Sequence, residues 1–109
     1  MNPHILVVED EDALSTLLQY NLEKEGYDVT LAGDGEEALM LVNERLPDLI
    51  VLDWMMPKIS GIEVCRRLRS RSETRNVPIV MLTARGEESD RIRGPVSYTH
   101  LTLPTKRIV

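Results

Sequence analysis

Side chains able to do chemistry follow three apolar runs of the sequence. Glu9 and Asp10 come directly after the first run, Asp53 after a second and Thr83 after a third. Two carboxylates about 4 Å apart repel by roughly 4 kcal/mol at an effective dielectric near 20, so converging acids need a cation or a raised pKa. Oxygen-only ligands favour a hard ion, and Mg2+ suits a site that keeps waters and accepts a phosphate oxygen.

Asp53 is the strongest candidate for a reactive group among these residues. It follows four apolar residues that read as a buried strand, where an unpaired carboxylate would be costly. An acidic Mg2+ site beside a carboxylate nucleophile and a hydroxyl donor indicates phosphoryl transfer onto aspartate. In this interpretation the Thr83 hydroxyl binds a phosphoryl oxygen. The alternative for any single acid is an ordinary solvated loop or helix-cap residue.

These side chains must be positioned by the elements that precede them. Apolar runs alternate with segments of helical periodicity, which predicts a doubly wound α/β fold: a parallel sheet with helices on both faces. Ligands bind beyond the carboxyl ends of the strands in such sheets, which is where the candidate residues lie. The predicted strands are 4–8, 28–32, 49–52 and 77–82, and the predicted helices are 13–25, 35–46, 61–70 and a start within 87–93.

Helix boundaries and inward faces follow from capping residues and spacing. Asp12 and Asp34 are predicted N-caps, and Gly26 is a predicted stop. The predicted inward residues are Leu14, Leu17, Leu18 and Leu22 in the first helix, Ala38, Leu39, Val42 and Leu46 in the second, and Ile62, Cys65 and Leu68 in the third.

Composition limits the class of protein. The chain has 109 residues, enough for one small domain, and 42% of them are apolar, which supports a packed core. A net charge of -5 argues against direct nucleic-acid contact. No apolar run approaches the roughly 18 residues needed to cross a membrane, and no secretory signal is recognisable. Cys65 is the single cysteine, so we expect a cytoplasmic protein without an internal disulfide.

Residues 4–94 resemble the receiver domain of a bacterial two-component response regulator. The stretches that carry the resemblance are ILVVEDED at 5–12, PDLIVLDWMMPKISGIEV at 47–64 and VPIVMLTARGEESDRIRG at 77–94. Asp53-Trp54-Met55 and the run MLTARG are most similar to the phosphate-regulon type, in the winged-helix transcription-factor branch. The resemblance implies a flavodoxin-like fold with strand order 2-1-3-4-5.

The resemblance also implies a role for each matching residue. The domain would take a phosphoryl group from a sensor histidine kinase and catalyse only its own phosphorylation and dephosphorylation, without being a standalone enzyme. In the intact parent it would dimerise with another receiver domain and regulate a DNA-binding output. The implied roles are phosphoacceptor for Asp53, Mg2+ ligands for Glu9, Asp10, Asp53 and the Met55 backbone carbonyl, switch hydroxyl for Thr83, and loop shaping for Pro57 and Gly61.

The resemblance ends at Gly94. The family's fifth strand, with its Lys, and its fifth helix find no match in the last 15 residues, PVSYTHLTLPTKRIV. This segment is similar to translated sequencing-adapter read-through, so residues 95–109 are predicted to be an unrelated, non-native tail. The alternative is that Val96 to Leu103 pairs beside the fourth strand, with Lys106 and Tyr98 imitating the family's Lys and aromatic residue.

Three other functions are considered. The chain could be an inactive fragment of such a regulator. An aspartate-nucleophile phosphatase of the haloacid-dehalogenase type is remote, because that class requires Asp-x-Asp and position 55 is Met. A nucleotide-binding domain is also remote, because neither GxxxxGK[ST] nor GxGxxG occurs.

Overall fold

A twisted sheet forms the centre of the computed structural model, which describes residues 2–56, 58–82, 99–102 and 107–108. Four of its strands are parallel and lie in the order β2-β1-β3-β4. This arrangement confirms the predicted doubly wound fold and the predicted order 2-1-3-4. The four strands are β1 (His4–Val8), β2 (Asp28–Ala32), β3 (Leu49–Asp53) and β4 (Ile79–Leu82).

Two apolar cores lie on opposite faces of this sheet. The larger core packs helices α2 (Gly35–Glu44) and α3 (Gly61–Arg69) against one face of the strands. The smaller core packs α1 (Asp12–Lys24) against the other face. All five residues of β1 are buried because both of its faces are covered, which explains why residues 5–8 form an uninterrupted apolar run.

Side-chain caps fix the start of α2 but not the start of α1. Oδ1 of Asp34 accepts a hydrogen bond of 2.9 Å from the Glu37 backbone N–H, as predicted. The Glu37 carboxylate accepts one of 2.8 Å from the backbone N–H of Gly33, the residue before the cap. The N-cap of α1 is Glu11, without a side-chain cap, so the prediction of Asp12 as the cap was wrong. Gly26, with φ 97°, follows the end of α1 as predicted.

Three apolar side chains predicted to point inward are largely exposed. Leu17 is 55% exposed because it lies about 100° around the helix from the mean direction of the three inward leucines. Leu46 is 53% exposed because α2 already ends at Glu44. Ile62 is 45% exposed because α3 turns Gly61, Val64 and Leu68 toward the core instead.

Two further strands extend the sheet beyond β4. Strand β5 (Thr99–Thr102) pairs with β4, and β6 (Arg107–Ile108) pairs with β5, both antiparallel. Within the range 96–103, residues 99–102 pair beside the fourth strand as the alternative expected, but their direction is opposite to that of the parallel sheet that the resemblance implies. Thr99 lies beside Leu82, so the chain re-enters the sheet at the end where β4 finishes and needs no crossover to the other end.

Several predicted features lie outside the described residues. They are Thr83, Pro57, the helix start within 87–93, Tyr98 and Lys106. Among the helices that the structure does describe, none is long and apolar enough to span a membrane.

Candidate functional site

Three of the predicted site residues converge at the carboxyl end of the sheet. Glu9, Asp10 and Asp53 each place a carboxylate oxygen within 4.8 Å of the others. Glu9 is 4% exposed and Asp53 is 2% exposed, whereas Asp10 is open to solvent. Two carboxylates of the cluster are therefore buried, and the third is accessible to solvent.

Strand register explains this convergence. Val8 lies beside Leu52 in the parallel pairing of β1 and β3, so the next residues along the two strands are Glu9 and Asp53. Backbone hydrogen bonds continue past the strand ends: the Glu9 N–H donates to the Ala32 carbonyl at 3.0 Å. The backbone at Glu9 and Asp53 is thus fixed by its hydrogen bonds and pairing within the sheet.

The electrostatics of Glu9 reflect its burial and its acidic neighbours. Burial is the main cause that raises the pKa of Glu9 from 4.5 to about 7. The charges of Asp53 and Asp10 and a side-chain hydrogen bond with Asp53 also raise it, while a backbone hydrogen bond from Glu11 opposes the change. That bond runs from the Glu11 N–H to Oε2 of Glu9 at 3.0 Å. Glu9 therefore binds a proton more readily than an exposed glutamate does.

Asp53 is oriented by the chain that follows it. The Met55 backbone N–H donates to Oδ1 of Asp53 at 3.1 Å, which limits rotation of the carboxylate. The Met55 side chain is 62% exposed, so this residue reaches the site through its backbone. Its carbonyl as a metal ligand stays a prediction.

Residues 54–56 and 58–60, here called the β3–α3 loop, connect β3 to α3, and the loop contacts the end of β3 closely. The Gly61 N–H donates to the Trp54 carbonyl at 2.9 Å. A β-carbon at Gly61 would overlap the backbone carbonyl of Asp53, so only glycine allows this approach. This geometry agrees with the expectation that Gly61 shapes the loop.

Sequence reasoning missed one contact of this loop. Nζ of Lys58 lies 3.3 Å from Oδ2 of Asp34, a residue predicted only as a helix cap. The two residues are 24 positions apart and belong to different elements. No spacing pattern in the sequence signals such a pair.

The donor set fits a hard divalent cation. Its ligands are all carboxylate oxygens, and they are close enough to bind one ion together. Burial is the main cause of the raised pKa of Glu9, and the negative charges of Asp53 and Asp10 add repulsion to it. A bound cation of charge two would remove that repulsion, which makes the residues present compatible with Mg2+.

Comparison with known proteins places the chain in a family. Residues 5–97 match the model of the response regulator receiver domain. The chain belongs to this family. Receiver domains of known structure share its fold. One is the receiver domain of the sensor histidine kinase PA1611 from Pseudomonas aeruginosa PAO1, which is described with magnesium in its active-site cleft. The TM-score between that domain and this chain is 0.77. That domain is 34% identical over 84% of this chain and 75% of its own.

Curated relatives of this receiver domain are transcription regulators. The phosphate regulon transcriptional regulatory protein PhoB of Rhizobium meliloti (strain 1021) is 64% identical over 94 residues, which are 86% of this chain and 41% of the relative. The alkaline phosphatase synthesis transcriptional regulatory protein PhoP of Bacillus subtilis (strain 168) is 57% identical over 94 residues, 86% of this chain and 38% of the relative. The chain thus spans about two fifths of their length. These similarities confirm the predicted phosphate-regulon type.

Proposed function

We propose that this receiver domain is a phosphoacceptor switch in which Asp53 takes a phosphoryl group from a sensor histidine kinase with Mg2+ as cofactor. The observation that carries the proposal is the convergence of Glu9, Asp10 and Asp53 at the carboxyl ends of two adjacent strands. An acidic cluster at this place in a chain of the receiver family supports both the acceptor and the metal assignments.

The transfer step moves one phosphoryl group between two side chains. A carboxylate oxygen of Asp53 forms the new P–O bond with its own electron pair. The P–N bond of the donor phosphohistidine breaks, and its electrons return to the imidazole nitrogen, which then takes up a proton. The hydrogen bond from the Met55 N–H to Oδ1 limits rotation of the Asp53 carboxylate, which supports transfer in a fixed geometry.

Glu9 and Asp10 prepare the site for a dianionic group. Burial favours a proton on Glu9 when no cation is present, which lowers the negative charge beside Asp53. The carboxylates of Glu9, Asp10 and Asp53 and the backbone carbonyl of Met55 would hold Mg2+. When bound, Mg2+ supplies positive charge that offsets repulsion between the phosphoryl oxygens and the acids. Thr83 would donate its hydroxyl to the phosphoryl group.

The output would be regulation of transcription by a longer protein. The names of the relatives support this, since both are transcriptional regulatory proteins and this chain covers their receiver part. In such a parent, phosphorylation would favour a dimer of receiver domains and so change DNA binding. The domain itself would act on no separate substrate and would catalyse only its own phosphorylation and dephosphorylation.

The test is phosphorylation by a small-molecule donor. The chain is incubated with acetyl phosphate and MgCl2, and its intact mass is measured together with that of Asp53→Asn and of Asp12→Asn, an acid outside the cluster. We expect the mass of one phosphoryl group on the parent and on Asp12→Asn, and none on Asp53→Asn or after chelation of Mg2+. Phosphate retained in Asp53→Asn would contradict the assignment. No phosphorylation of the parent would favour the inactive fragment.

A further inference from the structure

The β3–α3 loop is attached to the first turn of α2 at two points. On the solvent side, Nζ of Lys58 lies 3.3 Å from Oδ2 of Asp34. On the inner side, a β-carbon at Gly35 would lie 3.0 Å from the β-carbon and 3.1 Å from the carbonyl oxygen of Ile59. The helix start and the loop are therefore in direct contact on both sides.

The backbone of Lys58 indicates that this loop is held in place by its surroundings. Lys58 has a φ of 68°, in the left-handed region that residues with a side chain rarely adopt. A residue in this region persists only where neighbouring structure imposes it. The local sequence preference of Lys58 alone would not give the loop this shape.

Asp34 is a rigid partner for Lys58 because it is already fixed by a second interaction. Its Oδ1 accepts the hydrogen bond from the Glu37 N–H, which leaves Oδ2 turned toward Lys58. That backbone bond is the main cause that lowers the pKa of Asp34, and the ammonium of Lys58 adds to it. The cap therefore holds the Asp34 carboxylate in the orientation that the ion pair with Lys58 uses.

We propose that Lys58 is a positioning residue whose ion pair with Asp34 holds the β3–α3 loop so that the Met55 backbone completes the metal site beside Asp53. The proposal rests on the metal-binding role proposed above. Met55 lies between Asp53 and Lys58 in sequence, so a loop that shifts at Lys58 also moves the Met55 N–H and carbonyl.

The sign of the effect separates positioning from simple charge. Lys58 carries a positive charge, so removing it would strengthen cation binding if Lys58 acted only through its electrostatic field. Positioning predicts the opposite, because a loosened loop supplies the Met55 carbonyl less well. The pair is partly exposed, with 57% of the Lys58 side chain and 24% of the Asp34 side chain accessible, so the expected change is modest, about two- to fivefold.

Three substitutions isolate the ion pair. Lys58→Gln removes the charge and keeps much of the side-chain length, Lys58→Arg keeps the charge, and Asp34→Asn keeps an oxygen that can cap α2. Trp54 is the only tryptophan and lies in the loop, so its fluorescence reports both Mg2+ binding and, through acrylamide quenching without metal, access to the loop. Unfolding midpoints measured in urea serve as the control for a general loss of stability.

We expect Lys58→Gln to raise the Mg2+ dissociation constant about two- to fivefold and to increase quenching of Trp54, with little change in the unfolding midpoint. Lys58→Arg should resemble the parent, and Asp34→Asn combined with Lys58→Gln should bind Mg2+ no more weakly than the weaker single variant. An unchanged or lower dissociation constant in Lys58→Gln would overturn the proposal.

Failure of the proposed function gives a different result. If neither the parent nor any variant binds Mg2+, the metal-binding role itself is refuted. Quenching of Trp54 then still decides whether the ion pair holds the loop: equal quenching in the parent and in Lys58→Gln would refute that as well.

Discussion

Gly61 at the start of α3 lies directly against the backbone carbonyl of Asp53 at the end of β3. The space between them admits no β-carbon, and the Gly61 N–H donates to the carbonyl of Trp54, the residue next to Asp53. The first residue of α3 is therefore in contact with the main chain of the proposed phosphoacceptor, Asp53. The position of the Asp53 carboxylate depends on this backbone contact as well as on its own hydrogen bonds.

Replacing Gly61 by Ala should damage both stability and phosphorylation. The added methyl group must push α3 or the end of β3 aside, and overpacking of this kind typically lowers the free energy of unfolding by about 1–3 kcal/mol. Gly33→Ala is the matched control, because a β-carbon there meets only the flexible Glu37 side chain, at 3.6 Å. Urea unfolding and acetyl phosphate labelling provide the measurements, and equal behaviour of the two variants would contradict the prediction.

Replacing Glu9 by Gln should stabilise the metal-free protein above neutral pH. Because the folded-state pKa of Glu9 is raised from 4.5 to about 7, its contribution to stability is fully present below about pH 4.5 and is lost as the pH rises through about 7. Glutamine has nearly the same shape and cannot ionise. The free energy of unfolding of the parent should therefore fall relative to that of Glu9→Gln between about pH 5 and pH 8, by up to about 3 kcal/mol.

The measurement for Glu9 is a series of urea unfolding curves across this pH range in the presence of a chelator. Glu36→Gln, which removes an exposed glutamate from α2, serves as the control and should follow the parent. If the parent and Glu9→Gln show the same pH dependence, then Glu9 does not carry the raised pKa.

Replacing Asp10 by Ala should weaken Mg2+ binding and slightly stabilise the metal-free fold. The change removes one oxygen ligand and also one of the charges that repel Glu9 and Asp53. Glu11→Gln removes a neighbouring exposed charge without touching the cluster, so it controls for long-range electrostatics. Titration with MgCl2, followed by Trp54 fluorescence, should show that Asp10→Ala lowers the affinity for Mg2+ at least about tenfold and that Glu11→Gln lowers it less. Equal losses would mean that Asp10 is not a ligand.

The sequence predicted the sheet and the acidic cluster because both depend on local patterns. Both faces of β1 and β3 are covered, and residues 5–8 and 49–52 within them therefore form uninterrupted apolar runs. The residues that follow such strands in a parallel sheet must meet at one edge, which correctly brought Glu9 and Asp53 together.

Features that depend on tertiary context could not be predicted in this way. The exposure of Leu17 follows from how α1 is rotated against the sheet, and its spacing from the other leucines leaves that rotation open. Lys58, which pairs with Asp34, has a left-handed backbone that local propensity does not favour at a lysine. The antiparallel direction of β5 is set by where the chain re-enters the sheet, and strand-forming residues alone do not determine it.

His4, at the opposite end of β1, gives a prediction that is independent of the metal. Its side chain is buried, Nε2 lies 2.8 Å from Oγ1 of Thr30, and Nδ1 is buried without a hydrogen-bond partner in the described part of the chain. Burial, followed by the positive charge of Arg45, lowers the pKa of His4 below 6.5, although Asp48 and Asp28 oppose the change. The folded state therefore disfavours the protonated imidazole.

The pH dependence from His4 has the opposite sign to that from Glu9. Because the folded-state pKa is lowered, the stabilisation is fully present above about pH 6.5 and is lost as the pH falls toward the lowered value. His4→Gln retains an amide that can bond Thr30 but cannot take up a proton. We expect the parent to lose stability relative to His4→Gln as the pH falls from about 7.5 to about 5.5, measured by urea unfolding in a Glu9→Gln background that removes the opposing titration. If the difference in free energy of unfolding between the two proteins stayed constant across that range, the pKa of His4 would not change on unfolding, which would contradict the prediction.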